Sequence, residues 1–180
     1  NIFVNTIHCG DEEIGVRDYW KDAALRGNGK FFNINADATV RAIKTPFDPQ
    51  IILCNNKLND TYISYGSTGR ERKMNQIAQD KNAGTISSAN YAERAVSKSG
   101  SAYKNTSWDL VDKMKEDQNV LSSIKKDELP QELQNKSTEE IKSIITQKEK
   151  ERTAIQKEIA ELAIKRQAYI EEQLKKEGDD

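Results

Sequence analysis

Strand, helix and strand follow one another before Asn35, and that order admits few folds. Ile2 to Ile7 is a β-branched and aromatic run that ends at Cys9-Gly10. A helix-like segment then carries Trp20, Ala23, Ala24 and Leu25, and Lys30-Phe31-Phe32-Asn33-Ile34 reads as a second strand. Strands joined through a helix run parallel, and parallel strands belong to sheets that are covered on both faces. No Met and no earlier strand precede Ile2. The segment therefore reads as the closing part of a doubly wound sheet whose other strands lie elsewhere.

The local pattern supports the helix. Asp11-Glu12-Glu13 places carboxylates at its positive end, where a helix-start cluster is a better reading than a metal site. Val16, Trp20, Ala23 and Ala24 follow the spacing of a buried stripe, so Trp20→Ala is predicted to cost about 3–5 kcal/mol if that face is core. Gly27 and Gly29 suit a left-handed C-terminal cap. Asn35-Ala36-Asp37 is a turn, and 38–43 fits either a short strand or a helix start.

Composition changes along the chain. The hydrophobic share is 36% and the charged share 32%, against about 45–50% and about 25% in ordinary globular domains. The apolar residues concentrate before Gly66, so a core is predicted there and solvated helix beyond. Net charge is −1 with both signs interleaved, which lacks the basic footprint of a nucleic-acid binder. No run approaches the ~20 apolar residues of a membrane span.

Thr45-Pro46-Phe47-Asp48-Pro49 is a boundary, with Asp48 as cap and Pro49 in the first helical turn. A helix from Pro49 to about Tyr62 places Ile51, Cys54, Leu58 and Tyr62 on one face, suited to docking back on the strand-helix-strand unit. Ser64-Tyr65-Gly66-Ser67-Thr68-Gly69 is a loop. Its Gly-x-x-Gly lacks the following Lys-Ser/Thr of a phosphate-binding loop. Met74, Ile77 and Ala78 then form a narrow stripe, and 84–88 either interrupts that helix or carries Gly84 through it. Ala89, Ala92, Ala95 and Val96 form a small-residue face for another helix. Asn105-Thr106-Ser107 caps a helix from Trp108 to about Glu116, with Trp108, Val111 and Lys115 on one edge, and Pro130 is a second stop.

Ser137-Thr138-Glu139-Glu140 has the form of a capping box. No Pro or Gly follows until Gly178, and forty helical residues span about 60 Å. Ile155, Leu162 and Tyr169 recur every seven residues with Ile159 between, but Arg152, Arg166 and Gln173 break the heptad. The arm reads as a helical spacer or as a helix gripping a partner along one seam. Domain divisions follow at 1–46, 47–106, 107–136 and 137–180.

Little in the sequence suggests catalysis. His8 is the sole histidine, so histidine-based triads and multi-histidine metal sites are short of parts. Cys9 and Cys54 lack Cys-x-x-Cys spacing and read as buried thiols, with a disulfide left open. No catalytic residue and no metal ligand is assigned, and the partner-binding residues stay unassigned.

Taken together, Ile2-Phe-Val-Asn-Thr-Ile-His-Cys-Gly10, Tyr19-Trp20 with Ala23-Ala24, Gly29-Lys-Phe-Phe-Asn-Ile34 and Lys44-Thr-Pro-Phe-Asp48 resemble the closing portion of a bacterial von Willebrand factor type A (VWA) domain. Asp60-Thr61-Tyr62, Tyr65-Gly66 and Trp108-Asp-Leu-Val-Asp112 resemble the helical extension of that group. The resemblance implies a doubly wound α/β domain that binds a divalent cation such as Mg²⁺, and an extracytoplasmic home, periplasmic or at the cell surface. The family's Asp-x-Ser-x-Ser ligand loop occurs nowhere in this sequence, so no cofactor is carried over to these residues. The expectation is an α/β fragment followed by a mostly α-helical extension, acting as a non-enzymatic protein-interaction module. Self-association through the arm is one expected contact. The alternatives are a purely structural helical or coiled-coil oligomer, or an accessory subunit of an enzyme.

Overall fold

The computed structural model describes residues 2–35 and 42–178, and the chain divides into two compact units, 1–41 and 42–180. The expectations for Ala36-Asp37 and for most of 38–43 lie outside the described residues.

The first unit contains β1 (Thr6–Cys9), α1 (Glu12–Arg17), α2 (Trp20–Arg26) and β2 (Phe31–Ile34). The two strands pair in parallel, with Thr6 opposite Phe31 and Cys9 opposite Ile34. The single helix expected between them is two. Asp11 caps α1 by accepting the Ile14 amide, but Tyr19 adopts φ 66° and ends that run before α2 begins. This break rotates the expected stripe out of register. Ala24 is fully buried, whereas Ala23 is exposed and Val16 and Trp20 are each 43% exposed. A side chain that keeps nearly half its surface in water contributes less than a core residue. Trp20→Ala is therefore predicted to cost about 1–2 kcal/mol rather than the core value; chemical denaturation followed by near-ultraviolet circular dichroism checks it.

The glycines after α2 also differ from expectation. The left-handed residue is Asn28, at φ 52°. Gly27 and Gly29 are small because the segment that leads into β1 runs against them: a Cβ on Gly29 would lie 2.0 Å from the Val4 carbonyl oxygen, and one on Gly27 2.5 Å from Val4 Cβ.

The second unit is helical: α3 (Asp48–Asn59), α4 (Gly69–Ile86), α5 (Ser88–Ser99), α6 (Leu110–Glu116) and α7 (Thr138–Gly178). Its Cys54 face is buried as predicted, but against helices of its own unit. Ile51, Cys54, Leu58 and Tyr62 pack with Ala92, Ala95, Trp108, Ile159 and Leu162, which corrects the expectation that this face covers the strands. The alanine face of α5 is the small surface that lets the neighbouring helices approach. A second cluster joins Ile63, Leu110, Val111, Val120, Leu129, Leu133, Ile141 and Ile145. The long helix α7 thus runs past both clusters, and 47–106, 107–136 and 137–178 supply residues to one compact unit.

Several boundaries follow local chemistry. Gly84 is carried inside α4, and the break falls at Ser87, whose hydroxyl accepts the Asn90 amide to start α5. Asp109, not Asn105-Thr106-Ser107, caps α6. The box at Ser137 is formed reciprocally: Glu140 accepts the Ser137 amide at 2.7 Å and Ser137 Oγ accepts the Glu140 amide at 3.2 Å. The stripe predicted on α4 is displaced. Met74 is exposed and Ala78 likewise, while Gln76 and Asp80 are buried.

Candidate functional site

In a parallel pair, alternate residues of a strand direct their backbone groups to the same neighbour. The Thr6 amide donates to the Lys30 carbonyl and the Gly10 amide to the Ile34 carbonyl. The amides of Ile7 and Cys9 accordingly point to the other edge of β1, where no strand pairs among the described residues. The sheet faces differ as strongly as its edges. On one side Thr6 Oγ1 donates to the Trp20 carbonyl at 2.7 Å, and His8 and Asn33 are joined by a 2.9 Å bond between Nδ1 and Oδ1. Asn33 Nδ2 also donates to the Gly10 carbonyl. His8 packs 5.8 Å from the Trp20 ring and directly beneath Gly15, where a Cβ would meet its ring at 2.7 Å. His8 is thus a structural residue clamped between strand and helix.

The other side is apolar and open. Ile7, Phe32 and Ile34 are 54%, 49% and 53% exposed, and Cys9 beside them is exposed too. Register places Ile7 opposite Phe32 and Cys9 opposite Ile34, so the four side chains form one patch. Cys9 is not the buried thiol the sequence predicts; Cys54 is, and burial together with the neighbouring Glu158 carboxylate pushes it up to about 11. Both cysteines are free.

The helical unit holds its buried charged residues in three internal networks. The Asp80 carboxylate, 1% exposed, accepts Asn55 Nδ2 and Asn59 Nδ2 at 2.8 Å, Lys98 Nζ at 2.6 Å and Arg94 Nε at 2.8 Å. Burial alone would raise its pKa. The Asn59, Lys98 and Asn55 donors outweigh that and hold it below the usual carboxylate range, as charge-assisted donors do. Burial meanwhile lowers Lys98, against the pull of Asp80.

Arg152 anchors the second network. Its guanidinium donates to Asp109 Oδ2 at 2.7 Å, Asp112 Oδ1 at 2.8 Å, Thr61 Oγ1 at 3.0 Å and the Thr61 carbonyl at 2.9 Å. It also lies 4.3 Å from the Tyr62 ring centre. Burial works against its charge, but Asp109 and Asp112 outweigh it and raise the pKa. In the third network Arg166 reaches Asp48 and Glu93 at 2.9 and 2.5 Å, and Asp48 also accepts Thr45 Oγ1.

These pairs explain two of the three breaks in the heptad, Arg152 and Arg166. Ile145, Arg152, Ile159 and Arg166 recur every seven residues and all four are buried. Arg152 and Arg166 are rungs of the same seam, each closed by a carboxylate from another helix. The sequence carried that signal in the strict alternation of Ile and Arg; the carboxylates that answer them, at 48, 109 and 112, had no local mark.

The loop at Gly66 carries no anion cradle in its glycine amides. The Gly66 amide donates to the Glu128 carbonyl and the Gly69 amide to the Gly66 carbonyl. Among the described residues no group of three His, Cys, Asp or Glu is placed to hold a metal, and no helix is long and apolar enough to cross a membrane. Comparison with protein-family models, curated proteins and solved structures finds no match to this chain.

Proposed function

We propose that this chain is a non-enzymatic protein-interaction module in which the first unit is completed by further parallel strands, and the second is a rigid helical body for spacing or assembly. The observation that carries the reading is the open apolar patch of Ile7, Cys9, Phe32 and Ile34 beside the edge of β1 that no strand pairs among the described residues. Parallel sheets are stable when both faces are covered, and an exposed edge is a template for another strand. The occupant of this edge and face is therefore the rest of an α/β sheet, with a helix packed over Phe32 and Ile34. The resemblance to a VWA domain fits that requirement and suggests an extracytoplasmic setting. Any divalent cation then belongs to the strands that complete the sheet, since the Asp-x-Ser-x-Ser loop is not in this chain.

The helical unit supports a scaffold role over a coiled-coil oligomer. Its seven-residue seam is filled by α3, α5 and α6 through residue 166, which leaves that length of α7 no matching stripe for a second copy. The carboxylates and cations of the three networks are spent on one another rather than turned to a substrate.

Cys9 reports on the proposal. Its alkylation by a maleimide should be fast in the isolated chain and slowed at least 10-fold in the protein isolated from its source, where the sheet is complete. Equal rates in both would refute sheet completion at this face.

A further inference from the structure

The Asp80 network brings together more than an ion pair. Lys98 near the end of α5, Asn59 at the end of α3, and Gln76 and Asp80 one turn apart on α4 are all buried. Lys98 Nζ sits 2.7 Å from Asn59 Oδ1 and 2.6 Å from Asp80 Oδ2. The same Asp80 oxygen accepts Asn59 Nδ2 at 2.8 Å. Gln76 Nε2 donates to Asn59 Oδ1 at 3.1 Å, and the Tyr103 hydroxyl fixes that amide by donating to Gln76 Oε1 at 3.0 Å.

An amine, a carboxamide and a carboxylate are therefore closed into one hydrogen-bonded ring away from water. With a carbonyl bond of about 1.23 Å, Nζ lies no farther than about 4 Å from Asn59 Cγ. Reacting atoms in a near-attack arrangement are about 3–3.5 Å apart, so a small shift of the lysine reaches it. An ion pair needs Lys98 and Asp80 alone. Here the carboxylate oxygen also touches the nitrogen that would leave, and a neutral donor stands where negative charge would develop.

We propose that Lys98 and Asn59 become joined by a side-chain isopeptide bond that the folded chain forms by itself. A proton passes from the Lys98 ammonium to Asp80 Oδ2, and the neutral amine attacks Asn59 Cγ. Gln76 Nε2 stabilises the oxyanion on Oδ1. Asp80 gives its proton to Nδ2 and takes one of the two left on Nζ, as a general acid and base does. The Cγ–Nδ2 bond breaks, the Nζ–Cγ amide remains, and ammonia departs carrying the last proton as ammonium, which returns Asp80 to its carboxylate. Burial disfavours the Lys98 ammonium, but Asp80 holds its charge well; the neutral pair is a minor state and the reaction is slow, while escape of ammonia makes it irreversible. Asp80 keeps its Arg94 and Asn55 donors in the linked chain. In Asp80→Ala, where the bond cannot form, Lys98 stays an ammonium.

Intact-mass spectrometry of the full chain, prepared in urea from inclusion bodies and then refolded, tests the proposal. The unfolded chain should have its full sequence mass, and the refolded chain should lose one ammonia. A tryptic map should show 58–70 joined to 95–104, uncut at Lys98. Asp80→Asn and Gln76→Leu, each checked for folding by circular dichroism, should link about 10-fold more slowly or less. If neither variant folds, the refolded wild type and its map carry the test alone. The proposal is overturned if the refolded wild type keeps its full mass, if the ammonia is lost elsewhere with Lys98 still open to trypsin, or if the folded variants link at the wild-type rate.

Discussion

Asp109→Ala should destabilise the helical unit by about 3–5 kcal/mol, the range for breaking a buried ion pair from one side. Three losses converge on this one carboxylate. Its Oδ1 accepts the buried Ile63 amide at 2.9 Å, and its Oδ2 accepts both the Asp112 amide, as the cap of α6, and Arg152 Nη1. A lost cap costs about 1 kcal/mol, and an orphaned buried amide about 1–3 kcal/mol. Arg152, 2% exposed, then keeps only Asp112 as counter-ion. Urea denaturation followed by helical circular dichroism and by the emission of Trp108, which packs 5.5 Å from Tyr62, measures the change. Asp109→Asn separates these losses: it keeps one acceptor oxygen, enough for one of the two amides, and loses the charge, so it should lie between wild type and Ala.

Asp80→Ala should be of similar size, about 3–4 kcal/mol, because it strands Lys98, whose side chain is 1% exposed, with Asn59 as its remaining polar partner. The same residue sets a pH signature. A carboxylate whose folded pKa lies below its unfolded value of 3.8 contributes stability that is fully present above that value. The contribution is lost as the pH falls through the depressed folded value. Wild-type stability should therefore fall more steeply below pH 3.8 than that of Asp80→Asn, which has no proton to take up there. Parallel acid limbs for the two proteins would show that Asp80 does not carry the linkage.

How far the sequence foretold this molecule depends on how local each cause is. The strand-helix-strand order, the Ile51, Cys54 and Leu58 face and the Ser137 box rest on neighbours a few residues apart, and all appear in the structure. The break at Tyr19 does not, because nothing in Asp18-Tyr19-Trp20 marks a left-handed residue. Arg152 and Arg166 look like flaws in a heptad until their carboxylates arrive from 43 and 118 residues away. Asp80 and Lys98 sit on helices that look solvated by composition, and only the tertiary fold turns those faces inward. The open sheet patch was foreseeable only in part, since Ile7 and Ile34 stand between polar residues but Phe32 follows Phe31, and which face α1 and α2 would cover had no local mark.

On the proposed function, the first unit depends on strands beyond its own two, while the helical unit stands by itself. Native-state hydrogen exchange of this chain measures both at once. The amides of Thr6, His8 and Gly10 should open at about 2–3 kcal/mol or less, as marginal strand pairs do, with those of Leu58, Ala92 and Ile159 reaching the full unfolding free energy of the helical core. Strand amides protected as strongly as that core would mean that the two-stranded sheet is self-sufficient, and would contradict the proposed sheet completion.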